Sequence, residues 1–112
     1  MTTTTDCARV LKWAGGTHTF TLDHPWVRNV IAIRGFAGQF GNTPAACLKR
    51  LEEGVYSPDD VERVIELGLI GGGITRGEAR QLVDQHVNRS PIAPNAILAL
   101  NILAGLFVGS AA

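Results

Sequence analysis

The alternation of polar and apolar side chains predicts a β-hairpin over residues 7–22. Leu11 and Trp13 alternate with smaller or charged side chains, and Gly15-Gly16 follows as a turn in which positive φ costs little. Threonines then alternate with larger side chains, Thr17, Thr19 and Thr21 against His18, Phe20 and Leu22. A two-stranded hairpin is marginal in water. We therefore expect it to pack on the rest of the chain through Phe20 and Leu22.

From residue 23 onward the apolar spacing becomes that of helices. Helix starts are marked by capping side chains or first-turn prolines, at Pro25, Thr43-Pro44, Ser57-Pro58 and Thr75. The glycines of residues 71–73 end the third of these helices, and Thr75 with Glu78 has the spacing of a capping box. Residues 89–94 contain two prolines and are predicted to form a turn before a last helix over residues 95–108.

The predicted last helix is apolar nearly all around its axis. With Asn101 marking one side, Ala99 and Leu103 fall opposite it at ~3.6 residues per turn. The Asn101 side is apolar as well, and its larger side chains are Ile97, Leu98 and Val108. Two explanations stay open, a central helix wrapped by the others or a helix with one half against a partner. We predict that Ile97, Leu98 and Val108 bind a partner chain, either a second copy or another protein.

Length and composition fit one packed domain over residues 1–112. The chain has 112 residues, of which 46% are hydrophobic and 18% charged, so global disorder is not expected. We predict an α+β, mainly α fold, in which the hairpin of residues 7–22 precedes four to five short helices over residues 23–108. Residues 1–6 are polar and of low complexity, and we expect them to be disordered.

The charge balance argues against several classes of partner. Ten basic residues match ten acidic ones, and the sequence pI is about 6.8, so neither nucleic acid nor an anionic membrane is expected to bind. The longest apolar stretch, residues 96–108, is far shorter than the ~20 residues of a membrane span. The first twenty residues show no signal-peptide pattern. We expect a cytoplasmic protein.

No side-chain pattern indicates catalysis, a metal site or a cofactor. The three histidines are scattered, and Ser57 and Ser90 precede prolines, as helix caps do. Cys7 and Cys47 do not have the spacing of a metal site. The glycines of residues 71–73 follow a helix and lack the lysine of a phosphate loop. An enzyme or a small ligand-binding module would need a converging polar cluster, so we expect neither.

Two segments resemble a known family. Residues 61–75 read VERVIELGLIGGGIT and residues 78–84 read EARQLVD; in order and spacing they are similar to the tail assembly chaperone family of gene transfer agents and siphophages. The same family is also labelled as gene-transfer-agent phage tail tube protein. The resemblance extends from about residue 16 to about residue 106, and residues 26–40 depart from it.

The resemblance implies a non-enzymatic role in building a long, non-contractile phage-like tail. A tail assembly chaperone would bind the tape-measure protein until tail-tube subunits replace it, and it would be absent from the finished particle. The alternative is a structural tail protein, either a tube subunit or a minor component. Tube subunits are normally rich in β-structure, and this sequence has few alternating segments, so we expect the chaperone. A homo-oligomer stays possible.

Overall fold

The computed structural model describes residues 7–109, and the expectation for residues 1–6 lies outside them. The described chain forms two strands and then five helices. The strands are β1 (Arg9–Trp13) and β2 (Gly16–Phe20). The helices are α1 (Pro25–Arg34), α2 (Pro44–Glu53), α3 (Pro58–Gly71), α4 (Arg76–His86) and α5 (Ile92–Val108). The predicted α+β, mainly α fold is confirmed.

The two strands form an antiparallel hairpin that lies on α3. Arg9 is opposite Phe20 and Trp13 is opposite Gly16. Phe20 is buried in the core, and the chain just after β2 is fixed by a hydrogen bond from the Thr21 N–H to the Gly68 carbonyl at 3.1 Å. Leu22 is buried as well, so both residues expected to anchor the hairpin do so.

The glycines at the end of α3 allow the hairpin to approach the helix backbone. A β-carbon on Gly71 would lie 1.9 Å from the Thr21 carbonyl oxygen, and one on Gly72 would lie 1.8 Å from that of Thr19. Both distances are far inside van der Waals contact, so only glycine fits. The glycine segment is therefore a packing site for the hairpin, as well as the end of the helix predicted from the sequence.

Replacing Gly71 with alanine is expected to destabilise the protein by about 1–3 kcal/mol, because the new methyl group forces the hairpin away from α3. The matched control is Gly77→Ala in α4, where a β-carbon meets nothing within 4 Å. There alanine restricts the unfolded chain, so stability should stay unchanged or rise by up to about 1 kcal/mol. Urea melts of both variants test this. Equal free energies of unfolding for Gly71→Ala and Gly77→Ala would contradict the close approach of the hairpin to α3.

Helix α5 begins earlier than predicted. It starts at Ile92, with Pro91 as the residue before it and Pro94 inside the first turn. Proline is tolerated there because the first N–H groups of a helix have no partner within the helix. The prediction that residues 89–94 form a turn is thus wrong for its last three residues. The core side of α5 includes Ala99 and Leu103, which are fully buried.

A buried ion pair joins α2, α3 and the loop after α1. The Arg50 Nε and Nη2 atoms donate to the two Asp60 carboxylate oxygens, both at 2.8 Å. The same guanidinium donates to the carbonyls of Phe36, Gln39 and Gly41 at 2.8–2.9 Å. Asp60 also accepts from the Ser57 N–H, so it completes a capping box at the start of α3.

Candidate partner-binding face

One side of α5 faces outward, and we call it the outer face. Its members all carry apolar side chains: Ile97, Leu100, Ala104, Phe107 and Val108. Asn101 lies at its border, where its side-chain amide donates to the Ile97 carbonyl at 3.1 Å. Helix α5 contains no charged residue. A helix face that is apolar along its whole length is unusual on a surface that contacts only water.

The three residues predicted to bind a partner do not share one environment. Ile97 is 63% exposed and Val108 is 70% exposed. They lie near each other around the helix, since eleven residues make close to three turns. Leu98 is only 7% exposed and belongs to the core. Its placement among surface residues was wrong, whereas partner binding by Ile97 and Val108 stays a prediction.

The sequence interpretation missed Phe107, which is 48% exposed. Around the helix axis Phe107 falls nearer to Leu103 than to Asn101, and the half of the helix with Leu103 was the one expected to be buried. In the structure the buried arc is rotated toward Leu98 and Ile102, and this leaves Phe107 outside. Hydrophobicity alone could not set the rotation, since both halves of the helix are apolar.

A groove lies between the hairpin and α5, and Ile97 is the one member of the outer face that lines it. The groove has a volume of about 330 Å³, and β1 and the N-terminal half of α5 supply most of its walls. Trp13, Leu98 and Asn101 line it, together with the exposed Ile97. The Trp13 indole N–H donates to His18 Nδ1 at 2.9 Å, which holds the indole ring in place.

Arg9 attaches β1 to the end of α5. Its Nη1 atom donates to the Asn101 carbonyl at 3.2 Å, and its Nη2 atom donates to the Gly109 carbonyl at 3.0 Å. These carbonyls lie in or just after the last turns of the helix, where a cation is favourable. A β-carbon on Gly105 would lie 2.9 Å from the Cys7 carbonyl oxygen. The hairpin thus covers one flank of α5 and leaves the outer face open.

The described residues 7–109 contain no group of three or more side chains that could hold a metal ion. Cys47 is buried beside the Arg50–Asp60 pair. Burial, together with the negative charge of Asp60, raises the pKa of the Cys47 thiol to about 12. It is therefore protonated at neutral pH and is a poor nucleophile. Within this part of the chain no helix is long and apolar enough to cross a membrane.

Comparison with known proteins gives one family. The family model described as "Phage tail tube protein, GTA-gp10" matches residues 7–109, which is nearly the whole chain. No curated protein and no solved structure matches significantly.

Proposed function

The chain belongs to the GTA-gp10 phage tail tube protein family, and from this membership we propose that it is a structural component of a phage-like tail. In this role it contacts other tail proteins through the outer face of α5. The observation that carries the proposal is the family match, which spans both the hairpin and all five helices.

The outer face supports the proposal physically. Ile97, Phe107 and Val108 are large apolar side chains that are about half or more exposed. Contiguous apolar surface on a soluble chain usually marks a contact with another molecule. Its lack of charge also fits the centre of a protein interface, where charged residues are depleted.

A tail assembly chaperone that binds the tape-measure protein is the second candidate. The observation that favours it is the fold, since the described residues form only a two-stranded sheet and are otherwise mainly helical. An apolar helix face can pair reversibly with an amphipathic helix. The family's description, however, names a tail tube protein, and we therefore place the structural role first.

Replacing Ile97 with aspartate should leave the fold intact and weaken binding to the other tail proteins at least tenfold. The side chain is largely exposed in the free chain, but an interface would have to desolvate the new charge. The measurement is co-purification of a tagged chain with the products of its tail gene cluster, expressed together. Circular dichroism verifies that the variant is folded.

The matched control is Val55→Asp, which places the same charge on an exposed apolar residue outside α5. It should bind as the original chain does. Leu98→Asp serves as the opposite control, because burial of the aspartate should unfold the protein. A folded Ile97→Asp variant with unchanged co-purification would show that the contact lies elsewhere.

A further inference from the structure

A titratable side chain lies on the face of the hairpin that packs against the helices. Alternate residues of the two strands are partly or fully buried, Leu11 and Trp13 on β1 and His18 and Phe20 on β2, so they share one face. Leu11 is opposite His18 in the register. Trp13 is then the diagonal neighbour of His18, at a separation that long and aromatic side chains can bridge.

The hydrogen bond between Trp13 and His18 fixes the protonation state of the imidazole. The indole Nε1–H can only donate, and it lies 2.9 Å from His18 Nδ1. His18 Nδ1 must therefore present a lone pair, so the imidazole is neutral and carries its proton on Nε2. A protonated imidazole has two N–H groups and no acceptor. Neither of its nitrogens could accept from the indole, even after the ring had rotated.

The neighbours of His18 offer a protonated imidazole no replacement for this bond. The Phe20 ring lies 6.3 Å from the His18 ring, centre to centre, in an edge-on arrangement, and it carries no oxygen or nitrogen. Within residues 7–109 the ion pairs join arginines to carboxylates, and none of them includes a histidine. Protonation of His18 would thus break the contact with Trp13 without forming an ion pair in this part of the chain.

The charged and titratable groups of the hairpin and α4 add no counter-ion. Arg9 is on the same face of β1, and its guanidinium donates to the carbonyls at the end of α5. Lys12 is exposed. From α4, the His86 ring lies 5.8 Å from the Trp13 ring, and the neighbouring carboxylate of Asp84 accepts from the Asn88 side chain at 2.8 Å.

Helices α3 and α5 add no counter-ion either. Helix α3 meets the end of β2 at Gly68, whose carbonyl accepts from the Thr21 N–H. The charged residue of α3 nearest to Gly68 in sequence is Glu66, which pairs with Arg80 at 3.5 Å. Helix α5 contains no charged residue. The indole N–H of Trp13 is therefore the group to which the protonation state of His18 matters most.

We propose that His18 is a pH-sensitive switch that controls the position of the Trp13 indole and, through it, the groove between the hairpin and α5. Neutral His18 holds the indole against the groove, which Trp13 lines together with Ile97 and Leu98. Protonated His18 releases the indole, and the lining of the groove rearranges. Imidazoles change charge between about pH 5 and pH 8, so the switch operates in this range. It does not depend on whether the chain is a structural tail component or a chaperone.

The test is an NMR titration over this pH range of the full chain labelled with ¹³C and ¹⁵N. The chain has two tryptophans, and Trp26→Phe assigns their indole N–H signals. As His18 is protonated, we expect the Trp13 indole N–H proton to shift upfield, because it loses its acceptor. The midpoint should equal that of the His18 ring signals. The methyl signals of Ile97 and Leu98 should shift with the same midpoint.

His18→Gln supplies an amide oxygen that accepts from the indole but does not titrate, so the Trp13 signal should stay constant over the same range. His86→Gln is the matched control, because it removes the other imidazole beside Trp13 and should leave the titration unchanged. If His18→Gln fails to fold, the midpoints of Trp13 and His18 in His86→Gln decide alone.

Three results would overturn the proposal. The first is a Trp13 N–H signal that does not follow the titration of His18, including the case in which His18 does not titrate in this range. The second is a Trp13 titration that persists in folded His18→Gln. The third is a set of Ile97 and Leu98 methyl signals that stay unchanged while the Trp13 signal moves.

Discussion

Asp60→Asn is expected to destabilise the protein by about 3–5 kcal/mol, because it leaves the buried Arg50 charge without its counter-ion. Arg50 and Asp60 are 1% and 3% exposed, so water cannot replace the lost carboxylate. The pair also fixes the loop after α1, whose carbonyls accept from the same guanidinium. Urea denaturation at neutral pH measures the loss.

The neighbouring variant Asp59→Asn is the control. Asp59 is exposed at the first turn of α3, where the helix dipole favours its charge and water screens it, so the cost should stay below about 1 kcal/mol. Similar losses in the free energy of unfolding for Asp59→Asn and Asp60→Asn would show that burial of the ion pair adds nothing to the cost of removing its carboxylate.

The same pair predicts acid sensitivity. Burial alone would raise the pKa of Asp60, but hydrogen bonds from Arg50 and from the Ser57 N–H outweigh it and leave the pKa below its ordinary value. A carboxyl with a depressed folded-state pKa stabilises the fold fully above its unfolded value of about 3.9, and that stabilisation is lost as pH falls through the folded value. Between pH 5 and pH 2, as a rough window, the stability of Asp60→Asn should therefore fall less steeply than that of the original chain.

The second large effect is expected for Leu103→Ala, which should lower the free energy of unfolding by about 2–5 kcal/mol. Leu103 is fully buried on the core side of α5. Its removal leaves a cavity among packed side chains of several elements. Val108→Ala, on the outer face and 70% exposed, should change stability by less than about 0.5 kcal/mol. Denaturant melts of both variants test the assignment of the two faces. A loss below about 1 kcal/mol for Leu103→Ala would contradict it.

Local signals predicted most of the fold. Thr43 and Ser57 cap helices as expected, since a capping side chain acts on N–H groups only a few residues away. Thr75 likewise accepts from the Glu78 N–H at 3.2 Å. The Glu78 carboxylate accepts in return from the Thr75 hydroxyl, whereas in a capping box it would accept from the backbone N–H of Thr75. The start of α5 was misplaced, because proline suits both a turn and a first helical turn.

Long-range packing is what the sequence did not reveal. The partnership of Arg50 with Asp60 depends on how α2 meets α3, and nothing in the local pattern of either helix requires it. The contact of Gly71 and Gly72 with the hairpin likewise could not be predicted without knowing how the hairpin packs on α3. The burial of Leu98 follows from the rotation of α5, which a helix that is apolar on all sides does not encode.

Quantitative mass spectrometry of purified tail-bearing particles tests the central claim most directly. A structural tail component should be present at a fixed ratio to the other tail proteins, and it should stay bound through high-salt washing. The lysate from which the particles are purified provides the reference abundance. A chain that is abundant in that lysate but absent from the particles would contradict the structural role, and it would support the chaperone instead.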